Sequence, residues 1–195
     1  MHWAFQQGKS GAASLYEKAE AAADIGTLAH NMIENWCNEV DPELALADAT
    51  DEQKGQARNA FDQFLEWASE TRLELLSHYQ EIQLVCPVYK FGGTPDAIGK
   101  IDGKIVLLDW KTSNGVYPDY LIQLAAYKHL IENGVRMDTG KPMSLKIADA
   151  RLLRFSKEYP DFEARKFGDM GEAFRIFELY REAYDIDKEL KKRVK

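Results

Sequence analysis

Two acidic residues, set apart by the length of a hairpin, give the first sign of chemistry in this chain. Asp96 follows Gly93-Thr94-Pro95, and thirteen residues after Asp96 comes Asp109, in the run Asp109-Trp110-Lys111-Thr112. Between them, residues 98–101 and 104–108 read as short apolar strands, and Asp102-Gly103 is a strong hairpin-turn signal. The second run is apolar enough to be buried on both faces of a sheet. Side chains alternate along a strand, so Asp109 and Lys111 point to the same side, roughly 6–7 Å apart at the backbone. A carboxylate and an ammonium at the end of a buried strand are costly to desolvate, so such groups are usually functional or paired.

The chemistry that suits this arrangement is metal-assisted phosphodiester hydrolysis. Asp96 and Asp109 supply hard oxygen ligands of the kind Mg²⁺ or Mn²⁺ prefers. The backbone carbonyl of Trp110 lies between them as a further oxygen, and Lys111 is placed to orient a water or offset charge on the phosphoryl oxygens. A hairpin closed by a surface salt bridge would show the same Asp-x-Lys spacing, so the pattern needs company. It comes downstream, where residues 120–127 are periodic and helical. Leu121, Leu124, Ala125 and Lys128 fall on one side, while Tyr120, Gln123 and Tyr127 form a second stripe at i, i+3 and i+7. Two phenols and an amide make poor core material but serve hydrogen bonding and stacking on nucleic acid. Upstream, Gly26-Thr27-Leu28-Ala29-His30 sits on a helix whose apolar positions are Ile25, Leu28, Met32, Trp36 and Val40. A lone histidine on a helix is more often structural than a ligand.

Taken in order, G-T-x-x-H, P-D, D-x-K and Q-x-x-x-Y resemble the RecB-like branch of the PD-(D/E)xK nucleases, and the resemblance covers roughly residues 20–130. It implies a restriction-endonuclease-like α/β fold, a mixed sheet core flanked by helices with an N-terminal helical cap. It also implies a site in which His30 joins Asp96, Asp109 and the Trp110 carbonyl around one or two Mg²⁺ or Mn²⁺ ions. Lys111 would assist the nucleophile, and Gln123 and Tyr127 would orient Lys111 and the DNA backbone. In relatives an acid near Glu81 supports the metal site; a glutamate opening a strand is also common surface chemistry. The chain looks similar to compact phage exonucleases and the mitochondrial genome maintenance exonuclease. Those phage proteins usually carry a Ser/Thr-rich segment before a Trp-Ala pair that stands here as Trp3-Ala4, and the sequence leaves open whether this is an N-terminally shortened form.

Composition sets the bounds. A chain of 195 residues with 45% hydrophobic and 11% aromatic content is expected to fold as one domain with a substantial core. Residues 1–79 form its mostly helical cap and residues 80–195 its α/β catalytic core. No apolar run approaches the ~18 residues of a membrane span, and the first eight residues lack the basic start and apolar stretch of a signal peptide. Cys37 and Cys86 lie far apart and form no ligand pair, which points to a reducing cytoplasm, of a bacterium or of a phage-infected host. Two cysteines are too few for the four-cysteine iron–sulfur cluster that some RecB-like nucleases hold. Net charge is −7, unhelpful for a DNA binder, although Arg151, Arg154, Arg165 and Lys166 cluster in the last third. The cationic tail from Lys188 reads best as a solvated helix end complementing the helix dipole.

The elements that must position these groups are legible from the same sequence. A helix is expected over 12–39 with a break near Asp24-Ile25-Gly26, and a capping box at Thr50-Asp51-Glu52-Gln53 opens a second helix that runs as far as Leu76. Strands are expected at 81–89, at the two motif segments and at 147–155, with a further one over 162–167. The Gln123 helix ends near Asn133-Gly134, and a last helix spans 171–192. The leading expectation is a metal-dependent deoxyribonuclease, an exonuclease acting on linear or single-stranded DNA in recombination, repair or phage DNA processing. Its expected associates are a recombinase, a single-strand-binding protein or a helicase. The rivals are a non-catalytic DNA-binding subunit and an endonuclease with the same metal site.

Overall fold

The computed structural model describes residues 15–155 and 162–194, with side chains from residue 25. Trp3-Ala4 and the start of the first helix at Ala12 lie outside the described residues. In chain order the elements are α1 (Leu15–Cys37), a 3-10 turn (Pro42–Leu46), α2 (Asp51–Glu70), β1 (Glu74–Leu75), β2 (Leu84–Cys86), β3 (Phe91–Gly93), β4 (Ala97–Ile101), β5 (Lys104–Thr112), α3 (Pro118–Asn133), β6 (Val135–Arg136), β7 (Asp149–Phe155), β8 (Phe162–Phe167) and α4 (Gly171–Arg193). Five strands form a mixed sheet in the order β1-β4-β5-β7-β8, flanked by helices, and three short ones form a second sheet in the order β3-β2-β6.

The central hairpin forms as its turn residues demand. Asp102 (φ 51°) and Gly103 (φ 72°) are both left-handed, the requirement of a two-residue turn whose twist matches its strands. Antiparallel pairing then runs from Ile101 opposite Lys104 to Ala97 opposite Leu108. Val106 to Trp110 are all buried, so β5 is covered on both faces. Its neighbour β7 runs parallel to it: Ala148 N–H donates to the Ile105 carbonyl and Ser113 N–H to the Phe155 carbonyl, so partner numbers rise together. Parallel neighbours need a crossover, and α3 supplies it. Pro118 starts that helix, where its missing N–H costs nothing.

The chain divides into two compact units. The larger comprises Ala68–Trp110, Gly115–Leu153 and Glu163–Lys195. Its core brings Ile98 and Leu107 of the hairpin together with Leu124, Leu130 and Ile131 of α3 and Leu152 of β7. Among the described residues the smaller comprises 15–67, Lys111–Asn114, Arg154, Phe155 and Phe162. There Phe64 is fully buried between Trp36, edge-on at 5.4 Å, and Trp67 at 6.5 Å. The capping box forms as expected: Gln53 N–H donates to Thr50 Oγ1 at 3.3 Å, and Thr50 N–H donates to Gln53 Oε1 at 2.9 Å.

Several boundaries differ from the sequence expectation. Helix α1 passes through Gly26 without a break. Its buried stripe is Ile25, Ala29, Met32 and Ile33, whereas Trp36 and Val40 are 37% and 43% exposed. Helix α2 stops at Glu70 instead of reaching Leu76, since Arg72 turns left-handed (φ 50°) and Glu74 pairs with Lys100 in β1. The strand expected over 81–89 contracts to Leu84–Cys86, and Phe91–Gly93 adds a short strand that pairs back on it. The motif strand β5 runs on to Thr112, which puts both Asp109 and Lys111 inside it. Among the described residues no helix is long and apolar enough to cross a membrane.

Candidate active site

Asp96 and Asp109 are delivered by the hairpin itself. Extending its register one pair beyond Ala97 opposite Leu108 puts Asp96 across from Asp109. The two are 7% and 0% exposed, so the fold holds both carboxyl groups out of water. Asp96 Oδ2 accepts a buried hydrogen bond of 2.8 Å from the backbone N–H of Trp110. That bond fixes one oxygen of Asp96 against the opposite strand, at the residue between Asp109 and Lys111. Lys111 follows Asp109 two residues on in the same strand.

Glu81 joins this pair by a route that a strand could not provide. Its backbone is left-handed (φ 45°), as is that of His78 (φ 67°), so residues 76–83 form an irregular turn. A non-glycine residue in that region is strained, and such strain concentrates at functional sites. Glu81 N–H donates to the Asp96 carbonyl at 3.0 Å. The carboxylates of Glu81 and Asp96 offer ligand oxygens within 4.8 Å of each other. Close, partly buried acids of this kind repel one another unless a cation or proton lies between them. Hard oxygen donors in this number suit Mg²⁺ or Mn²⁺, so the residues present fit the divalent ion that the sequence implied.

Gln123 and Tyr127 meet as the helical spacing requires, Gln123 Nε2 donating to Tyr127 Oη at 2.9 Å. Gly93 of β3 explains how the tyrosine ring is held. A Cβ on that residue would stand 2.6 Å from Tyr127 Cε1 and 3.3 Å from Leu130 Cδ1, so the ring lies directly on the glycine. Tyr120, the third member of the stripe, packs its ring edge-on against Tyr117 at 5.6 Å and is partly buried against the core.

In the smaller unit, Gly26 of the G-T-x-x-H segment has a comparable function. A Cβ there would meet Thr112 Cβ at 3.1 Å and Oγ1 at 3.3 Å. The glycine lets α1 lie close against the end of the D-x-K strand. His30 follows one turn later, half-buried, beside the buried Ala29. Lys111, also half-buried, belongs to this unit by its contacts.

Among the described residues, the basic side chains singled out in the last third are engaged with partners. Arg154 is buried and donates to the Ser113 carbonyl at 3.2 Å. Arg151 and Lys166 both pair with the buried Asp149, at 2.8 and 3.2 Å, and Arg165 pairs with Glu163. In the tail, Lys191 and Lys192 pair with Asp187 and Glu189, each at 2.6 Å, as a solvated helix end would. The motifs single out Gly26 and Gly93, but not their partners Thr112 and Tyr127, which are distant along the chain.

Residues 1–186 match a known family, described as the PD-(D/E)XK nuclease superfamily. No curated protein matches the chain at a significant level. Among solved structures, that of SSO0001 is similar at 14% identity, over 81% of this chain and 72% of that one, with a TM-score of 0.36.

Proposed function

Because this chain belongs to the PD-(D/E)XK nuclease superfamily, we propose that it is a metal-dependent DNA exonuclease. The observation that carries this reading is the pair of buried carboxylates Asp96 and Asp109, Asp96 bonded to the Trp110 N–H and with the strained Glu81 offering a ligand oxygen within 4.8 Å of it. Asp96, Asp109, Glu81 and the Trp110 carbonyl would hold the cation, with His30 as a further ligand on the strength of its motif. When bound, that ion supplies charge neutralisation at the phosphoryl group and a more acidic water. Lys111 donates hydrogen bonds toward the attacking water or the phosphoryl oxygens, where an ammonium stabilises growing negative charge. Gln123 and Tyr127, already joined to each other, present donors to the strand backbone. No iron–sulfur cluster is proposed, because two cysteines are too few for the four-cysteine ligation that some RecB-like nucleases use.

Action from DNA ends is supported by the aromatic stripe of α3, which suits unpaired bases better than a duplex. Recombination, repair or phage DNA processing would supply such ends, and a recombinase, single-strand-binding protein or helicase would be the natural associate. The test compares linear single strands with covalently closed circular single strands in Mg²⁺ and Mn²⁺. Linear strands should disappear much faster, and labels at the 5′ and 3′ ends would show which is entered. Equal loss of circles would replace the exonuclease by an endonuclease with the same site.

A further inference from the structure

Beside the Gln123–Tyr127 pair lies a cavity of about 550 Å³ whose walls come from β3, α3 and α4. That volume is within the roughly 300–1,000 Å³ of small-molecule sites. Tyr120, Gln123 and Tyr127 line one side, Phe177 and Tyr180 of α4 the other, and Asp119 stands at the rim. Phe177 is a fixed wall, stacked at 5.8 Å on Phe174 and tilted on Phe91 at 4.5 Å. Tyr180 differs: its side chain is 59% exposed, on a helix face turned to water. An aromatic that stands at the mouth of an apolar cavity without being buried by it offers an open π-face.

The lining also says which part of a nucleic acid it would take. Among the described residues none of those lining the cavity is basic, and Asp119 is acidic. Near Asp119 a phosphate would find repulsion, whereas a planar heterocycle finds the aromatic walls of Phe177 and Tyr180. Its polar edge finds an amide and a carboxylate, groups that complement the donors and acceptors of a base. We infer that this cavity receives an unpaired nucleobase of the strand being cut, stacked on Tyr180 with its edge toward Gln123 and Asp119. The site rests on the nuclease reading and deepens it, because it makes α4 part of substrate recognition and favours strands whose bases are unpaired.

The test is a binding cycle read by fluorescence anisotropy in EDTA at low ionic strength, so that the strand stays intact. Wild type and Tyr180→Ala are titrated with a labelled single-stranded oligonucleotide and with an abasic deoxyribose-phosphate strand of equal length. Tyr180→Ala should weaken binding of the base-bearing strand by roughly 5- to 150-fold, the range for losing one base stack, and leave the abasic strand unchanged. Tyr180→Phe should bind both strands as wild type does. Equal weakening of both strands, or of neither, overturns the inference. Wild-type hydrolysis of the base-bearing strand in Mg²⁺, measured alongside, separates the two readings. Binding and cleavage without a base-specific loss removes the cavity's role alone, and absence of both removes the nuclease reading with it.

Discussion

Replacing Gly93 by alanine should break the site from outside the metal ligands. The added Cβ would stand 2.6 Å from Tyr127 Cε1. Carbon–carbon contacts are optimal near 3.5–4.0 Å, so the ring must withdraw by about 1 Å. Overpacking of that kind costs about 1–3 kcal/mol. Gly93 is not among the residues with positive φ, so alanine suits the backbone and recovers about 0.4–1 kcal/mol by restricting the unfolded chain. The net expectation is a loss of about 1–2 kcal/mol, together with displacement of the Tyr127 hydroxyl from Gln123 and slower hydrolysis. Equilibrium urea unfolding of wild type, Gly93→Ala, Tyr127→Ala and the double variant measures the coupling. With the ring gone, Gly93→Ala should be close to neutral, leaving a coupling energy of at least ~1 kcal/mol. An identical cost in both backgrounds would refute the contact as the reason for the glycine.

Lys111→Ala should abolish turnover while calorimetry still detects Mn²⁺ binding; loss of both would reduce the lysine to a structural salt bridge. An imidazole in an oxygen-rich site favours Mn²⁺ over Mg²⁺, so His30→Ala should lower the rate and shrink the Mn²⁺/Mg²⁺ activity ratio, and an unchanged ratio would remove His30 from the site. Burial, with the Glu34 carboxylate as a second cause, pushes the Cys37 thiol up from 9.0 to about 12. Above pH 9 the unfolded chain therefore loses that proton first, and stability falls as pH rises toward 12. The decline in urea midpoint should be shallower in Cys37→Ala, and parallel profiles would contradict that assignment.

The parts of the site that are local along the chain are legible in its sequence. Asp102-Gly103 fixes the hairpin's turn and thereby its register, which ends at Ala97 opposite Leu108 and so brings Asp96 and Asp109, the next residues, to the same end of the hairpin. Gln123 and Tyr127 are one helical turn apart, and their hydrogen bond follows from that spacing. The capping box at Thr50 is similarly self-contained. What sequence hides depends on partners far along the chain. Glu81 reads as a strand-opening residue because Ile82, Leu84 and Val85 follow it, yet a left-handed backbone takes it out of the strand, where its N–H donates to the Asp96 carbonyl. Gly26 carries no sign of its partner Thr112, nor Gly93 of Tyr127, since close approach is invisible without the second surface. The basic residues at 151–166 suggest a DNA-facing cluster, but Asp149 and Glu163, which engage three of them, follow from β7 and β8 geometry that composition does not encode.

If Asp109 and its neighbours bind a divalent cation that drives strand cleavage, metal binding and hydrolysis must rise and fall together. Titrating Mn²⁺ into wild type and Asp109→Asn, while following thermal unfolding and cleavage of a linear single strand, tests both halves together. Ligand linkage gives about 2.7 kcal/mol of added stability at a hundredfold excess over Kd. Wild type should therefore melt higher as Mn²⁺ is added, cleave over the same concentration range and lose both effects in EDTA. Asp109→Asn should show neither effect despite being folded. Cleavage by purified Asp109→Asn above a few per cent of wild type, or wild-type cleavage that survives EDTA, would contradict the account.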